Sequence, residues 1–269
     1  FGPPLGAHSP IQRCLDLLEL LAEAPEGLAL AALAARLRLP KSAVHRVLAL
    51  LAARGFVRQD EATQHYALTL KLPSLGLRFL AGTGVPDLAQ PVLDQLASRT
   101  HELARLAIVD GDGLVWCAKA QGAGAGLRYD ADTARRVILH VTATGKIWLS
   151  TLPEAHAIDI VRREGRIGGP GVGPCAIRTL AALRRDLRET RRRGYGVAIE
   201  EGESGVAAIA VVVHPQRDTS KPACATVSIA GPLARMGAAR RAELACEARA
   251  SADAIADLWP VKRAAAKAA

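Results

Sequence analysis

Three observations predict an α+β protein in two parts. The first 70 residues hold short amphipathic helices and one hairpin, Gly82-Thr83-Gly84 interrupts the chain, and from Val85 onward strand runs interleave with helices.

In chain order, Ser9-Pro10-Ile11-Gln12 is a Ser-x-x-Gln capping box with proline at the first helical position, and Ile11, Leu15, Leu18 and Leu21 follow on one face. After Pro25 and Gly27, "LALAALAARLRLP" predicts a short second helix. The turn Leu37 to Pro40 leads into "LPKSAVHRVLALLAARGFV", where Val44, Val47, Leu48 and Leu51 recur at helical spacing as a buried stripe. Pro40 suits the start of that third helix, and Gly55 suits a left-handed stop after Arg54. Two strand-like runs, "FVRQD" and "HYALTL", are joined by Glu61 to Gln64 as a hairpin with its polar tip outward. Three helices and a hairpin within residues 1–70 predict a winged helix-turn-helix domain, in which the second helix of the turn enters the DNA major groove.

Residues 71–85, beginning "KLPSLGLRFLAG", predict a linker helix and hinge, and residues 86–269 a second domain. "VPDLAQPVLDQLASRTH" is a helix, and "LARLAIV" and "LVWCAKA" flank Asp110-Gly111-Asp112-Gly113, a hairpin signal. Further strands are expected at Leu127 to Asp130, Val137 to Val141, Gly196 to Glu200, Val206 to His214 and Ala223 to Ile229. Helices are expected after Thr142, Leu152, Thr179 and Met236. The result is a mostly antiparallel sheet flanked by helices, with a frayed Ala/Lys tail after Pro260.

The 269 residues carry 35 Lys plus Arg against 26 Asp plus Glu, a formal charge of +9 that draws anionic partners such as nucleic acid. Arginine is spread along the whole chain, so charge alone does not single out DNA. Only 3% of residues are aromatic, which argues against a stacking platform for single strands and leaves duplex DNA as the better partner. Cys14, Cys117, Cys175, Cys224 and Cys246 are odd in number and scattered, and read as reduced core thiols. "FGPPLGAHSP" lacks the pattern of a signal peptide and no segment has the apolar length of a membrane span, so a cytoplasmic location is expected.

On the third helix Lys41, Ser42, His45 and Arg46 flank the buried stripe. Charge on an outer helix face is solvated surface by default. The winged context turns these residues into candidate DNA contacts, joined by Arg58 and Gln64 of the wing. Arg46 suits phosphate or guanine, since a guanidinium fork fits either; the plainer alternative pairs it with a nearby acid.

Several stretches together resemble the IclR family of bacterial transcription regulators: "LRLPKSAVHRVLALLAARGFVRQD", "YALTLKLPSLG", "TATGKIWLSTLPE", "RRRGYGVAIEEGESGVAAIAVVV" and "ATVSIAGP". The resemblance implies a homodimer or dimer of dimers on a roughly palindromic operator. It also implies a GAF-like effector domain that binds a small, usually acidic metabolite. It lays the recognition helix on Lys41 to Arg54, with Ser42, Ala43, His45 and Arg46 facing DNA. The implied effector positions are Tyr129, Val137, Ala143, Thr144, the strand near Glu200, and Ser228, with His140 and Thr142 beside them.

Thr142 to Lys146 opens a helix whose free N–H groups and positive dipole end suit a carboxylate. Ala198 and Ile199 stand where many relatives are acidic, and Ala230 replaces a hydroxyl near Ser228. The pocket is therefore expected to be less polar, and to favour an aromatic or longer-chain carboxylic acid.

Enzyme signatures are missing. "HVTATGKIWL" lacks the upstream glycine of a phosphate loop and has Ile147 at the Mg²⁺-binding hydroxyl position. "GESG" is not a nucleophile elbow, and His140, Glu200 and Glu201 have no metal-ligand spacing. No cofactor or metal is expected. The contrasting reading is a GAF-like metabolite-binding protein or enzyme whose N-terminal unit mediates only protein contacts; a footprint on DNA separates the two.

Overall fold

The computed structural model describes residues 9–124, 126–131, 137–165, 167–169 and 171–259, so the tail after Pro260 lies outside the described residues. Two compact units divide the chain, Phe1–Gly82 and Thr83–Ala269.

In the first unit, α1 (Pro10–Ala22) opens on the Ser9 capping box, with Gln12 N–H donating to Ser9 Oγ and Ser9 N–H to the Gln12 side chain. The buried face of α1 differs from the expected one. Leu17 and Leu21 are buried while Ile11 and Leu15 are exposed, because the helix docks through its 14/17/18/21 stripe. The start of the expected second helix is instead β1 (Leu28–Ala29), held extended by pairing with β3, and α2 (Leu30–Leu37) follows. Arg38 adopts the left-handed conformation, Pro40 caps, and α3 (Lys41–Ala53) begins. Gly55, at φ +71°, ends α3 as its N–H donates to Ala52 O. β2 (Val57–Gln59) and β3 (His65–Leu68) form the wing, in sheet order β1-β3-β2. Asp60 closes its tip, accepting from the N–H groups of Ala62 and Thr63 and from the Thr63 hydroxyl, and these bonds hold its carboxyl below the usual range. The helix α4 (Lys71–Thr83) then runs to the division between units.

The second unit is built on a five-stranded sheet of order β5-β4-β8-β7-β6 with every pairing antiparallel. Its strands are β4 (Leu103–Asp110), β5 (Gly113–Gln121), β6 (Gly196–Ile199), β7 (Val206–Val213) and β8 (Ala225–Pro232). One face packs against α5 (Val85–Thr100) and α9 (Ala238–Leu258), through Leu93, Leu96, Leu244 and Ile255. The other packs against α6 (Ala143–Thr151), α7 (Glu154–Glu164) and α8 (Leu180–Arg193). Residues 127–130 and 137–141, expected as strands, are irregular. The Leu127 and Tyr129 carbonyls accept from the side chains of Arg235 and Gln121 rather than from a ladder, and residues 139–141 turn into α6. Among the described residues no helix is long and apolar enough to cross a membrane.

Cys117 and Cys224 are partly buried, and burial pushes both thiols up to about 12. Cys175 and Cys246, expected in the core, are exposed.

Glycines fix the seat of α6. A Cβ on Gly145 would overlap the Leu139 backbone, and one on Gly196 would overlap the Ala143 carbonyl. Gly145→Ala gains about 1 kcal/mol of helix propensity, but the overlap is with backbone that cannot rotate away. The substitution is expected to destabilise the C-terminal unit by about 1–3 kcal/mol net. Calorimetry reads this as a lowered melting temperature; an unchanged one would show that the start of α6 has room to spare.

Candidate nucleic-acid interface and ligand cavity

On α3, Val44, Leu48 and Leu51 face inward, leaving Lys41, Ser42, His45 and Arg46 exposed on the outer side. No carboxylate among the described residues pairs with Lys41 or Arg46, so their charges remain available to a partner. Arg36, Arg38 and Arg54 are exposed along the same helix-turn-helix, and Arg58 is exposed on the wing. Arg58 lies 4.0 Å from Asp60, a distance at which an exposed pair is weak.

In the second unit, a cavity of about 460 Å³ lies between the sheet and the start of α6. Thr142, Ala143 and Thr144 form one wall. The Thr142 hydroxyl accepts from Gly145 N–H at 3.0 Å, and Lys146 makes the first intrahelical bond, back to Thr142 O. The N–H groups of Ala143 and Thr144 therefore have no acceptor within the helix. Ala198, Ala208 and Ala230 line the sheet side, Arg105 and Trp116 one end, and Glu201, Gly202 and Glu203 another; Tyr129, Asp130 and Ala131 also border the space.

Beside the cavity, the buried Lys146 ammonium lies 2.7 Å from Glu201 Oε1 and 3.3 Å from Asp186 Oδ2. Burial raises the Glu201 carboxyl above its ordinary value and outweighs the pull of Lys146.

Residues 10–61 match the family model described as the IclR helix-turn-helix domain, and residues 78–257 that described as the bacterial transcriptional regulator IclR C-terminal domain. The chain belongs to the IclR family. Among IclR-family relatives, the probable transcriptional regulator SauR of Cupriavidus necator is 31% identical, with 83% of this chain and 86% of that one covered. The HTH-type transcriptional regulator BhcR of Paracoccus denitrificans is 32% identical, with 87% and 81% covered. The fold is shared with an IclR transcriptional regulator from Alicyclobacillus acidocaldarius at TM-score 0.77 and 23% identity, over 94% of this chain and 99% of that one. It is also shared with an IclR homologue from Microbacterium hydrocarbonoxydans, solved with 4-hydroxybenzoate, at TM-score 0.72 and 23% identity, over 92% and 97%. Accordingly, this chain is a DNA-binding transcriptional regulator of the IclR type and not an enzyme.

Not every residue expected at the two IclR sites is placed to act there. Ala43 is buried with Val44 in the domain core and presents nothing to DNA. The Gln64 amide is held in the wing tip, where its Nε2 donates to Glu61 O and its Oε1 accepts from Gln59, which leaves one N–H for a partner. Of the effector set, Tyr129, Thr142, Ala143 and Thr144 border the cavity; Val137, His140, Glu200 and Ser228 do not. Val137 packs into the core beneath α6 and α7 with Leu114 and Trp148. His140 Nε2 accepts from Gly168 N–H at 3.2 Å, and burial lowers its pKa. The Glu200 carboxylate accepts from Gly205 N–H and closes the turn before β7, while Ser228 lies buried in β8. Among the described residues no three His, Cys, Asp or Glu side chains gather at a metal-binding distance. Sequence reasoning missed Arg105, Trp116 and the buried Lys146–Glu201 pair.

Proposed function

We propose that this regulator grips a roughly palindromic operator through Lys41, Ser42, His45 and Arg46 of α3, with Arg58 of the wing on the backbone. In the same reading it acts as a homodimer or dimer of dimers, and the C-terminal cavity takes a small carboxylic acid that controls binding. The observation that carries the DNA contacts is the outer face of α3, whose cations are exposed with no acidic partner among the described residues. Assembly is supported by Ile11 and Leu15, exposed one turn apart on α1, and by Leu75 and Phe79, exposed one turn apart on α4, since apolar side chains grouped on a helix face mark contact sites.

The acid is supported by the open start of α6 on the cavity wall, where unpaired N–H groups and the positive helix end favour a carboxylate. It is supported too by 4-hydroxybenzoate, itself a carboxylic acid, in the Microbacterium hydrocarbonoxydans homologue. An acid that prefers one arrangement of the assembled C-terminal domains changes operator affinity by the difference in its affinity for the two states.

Footprinting on the DNA flanking its own gene tests the reading. Two protected half-sites related by a dyad are expected; uniform protection at every sequence would refute specific recognition. Lys41, contacting phosphate alone, is expected on substitution by Ala to weaken all sequences alike and to lower the salt slope by about one. A sequence-dependent loss would assign Lys41 to base readout instead.

A further inference from the structure

Arg105 projects from the middle of β4 onto the α6 face of the sheet and is only 8% exposed. Its guanidinium lies 3.8 Å from the ring centroid of Trp116 and 5.9 Å from that of Tyr129, and both rings border the cavity. The Nε hydrogen has no acceptor, and no carboxylate among the described residues pairs with the group. Burial pushes its pKa down. A cation this deep is costly unless an anion joins it.

The sheet is shaped to bring that anion in one orientation. Leu106 pairs with Ala118 but Ala107 pairs with Trp116, so Cys117 is the extra residue of a bulge. In unbroken register Cys117 would share the face of Ala107 and Trp116 would point to the α5/α9 side; the bulge re-aims the indole over Arg105. Ala198, Ala208 and Ala230 are direct cross-strand partners on the same face, a flat row of methyl groups about 10 Å across. Glu201 and Glu203 follow β6, toward the sheet edge away from Arg105; Glu201 is answered by Lys146, and the exposed Glu203 repels a carboxylate at that end.

We propose that Arg105 anchors the carboxylate of an aromatic acid whose ring lies on the alanine row, with its far end toward Glu201 and Glu203. The proposal rests on the reading of the cavity as an acid site and names the residue and ligand class that define it. The stacked guanidinium keeps its N–H edge for a bidentate carboxylate. A two- or three-carbon acid would leave the alanine row bare and most of the cavity unfilled.

Titration calorimetry on the full chain tests this with benzoate, 4-hydroxybenzoate, pyruvate and benzyl alcohol. The benzoates are expected to bind at least about 10-fold tighter than pyruvate, because the ring buries apolar surface. They are expected to exceed benzyl alcohol by at least about 30-fold, because the alcohol leaves Arg105 unanswered. Arg105→Gln should lose at least about 30-fold for the benzoates while the ligand-free melting temperature stays level or rises, which a purely structural arginine would not allow. Ala208→Leu should remove benzoate binding and spare pyruvate. If pyruvate binds best, or Arg105→Gln binds benzoate like the parent, the Arg105 assignment falls and the carboxylic-acid reading stands. If benzyl alcohol binds and no acid does, both fall; a panel in which nothing binds also overturns the assignment.

Discussion

Arg46→Ala is expected to abolish specific operator binding while leaving the circular dichroism spectrum and melting temperature unchanged. The side chain is exposed on the outer face of α3 and makes no ion pair with any described carboxylate, so its removal takes nothing from the folded domain. In the proposed complex the same group is expected to face phosphate or a guanine edge, where a bidentate contact is worth about 1–3 kcal/mol of discrimination. In an assembly with two α3 helices on one operator that loss counts twice, enough to reduce specific binding to the nonspecific level. Arg46→Lys should recover charge-dependent, nonspecific affinity without recovering the preference for the operator. A mobility-shift titration in which Arg46→Ala binds like the parent would assign base readout to other residues of α3.

The largest effect on stability is expected from Lys146→Met. Lys146 is 1% exposed and bridges three elements: its own helix α6, Asp186 of α8, and Glu201 after β6. Without the ammonium, Glu201 is a buried carboxylate lacking its counter-charge, a change that costs about 3–5 kcal/mol. Asp186, more exposed, keeps contact with water. The double variant Lys146→Met/Glu201→Leu removes both charges and should regain most of the loss, as apolar replacement of a buried pair often does.

The pH dependence follows from the raised Glu201 carboxyl. An acid whose folded pKa lies above its unfolded value binds its proton more tightly when folded, so stability falls as pH rises from the unfolded to the folded pKa. The penalty in Lys146→Met should therefore be largest at neutral pH and shrink on acidification. Calorimetry of the C-terminal transition measures it; a penalty equal at pH 5 and pH 8 would show that Glu201 does not carry the cost.

The first unit was readable from sequence because its signals are local. The Ser9 box, Pro40 and Gly55 mark helix ends, and the spacing of Val44, Leu48 and Leu51 fixes which side of α3 is out. Ala43 escaped because a small residue fits either side of a helix, and one position of rotation places it under the domain. Thr142 and the start of α6 were readable for the same reason, as a cap with its N–H acceptor three residues on.

Arg105 was not. Both faces of the sheet are covered by helices, so "LARLAIV" shows no alternation against which an inward arginine stands out. The bulge at Cys117, which turns Trp116 onto it, has no signature in the pattern of residue types. The family resemblance implies Val137 at the pocket with His140 beside it, and the apolar run predicts a strand there. Once residues 137–141 turn into α6 rather than extend, those side chains point into the core and toward Gly168.

Effector control requires one coupling: acid held in the C-terminal cavity must change the grip of α3 on DNA. Operator titrations by fluorescence anisotropy, without acid and with benzoate at saturation, measure it directly. The expected result is a change in operator affinity of about 5- to 150-fold, matched by an equal change in benzoate affinity when operator is saturating. Identical operator affinity with the cavity filled and empty would contradict it.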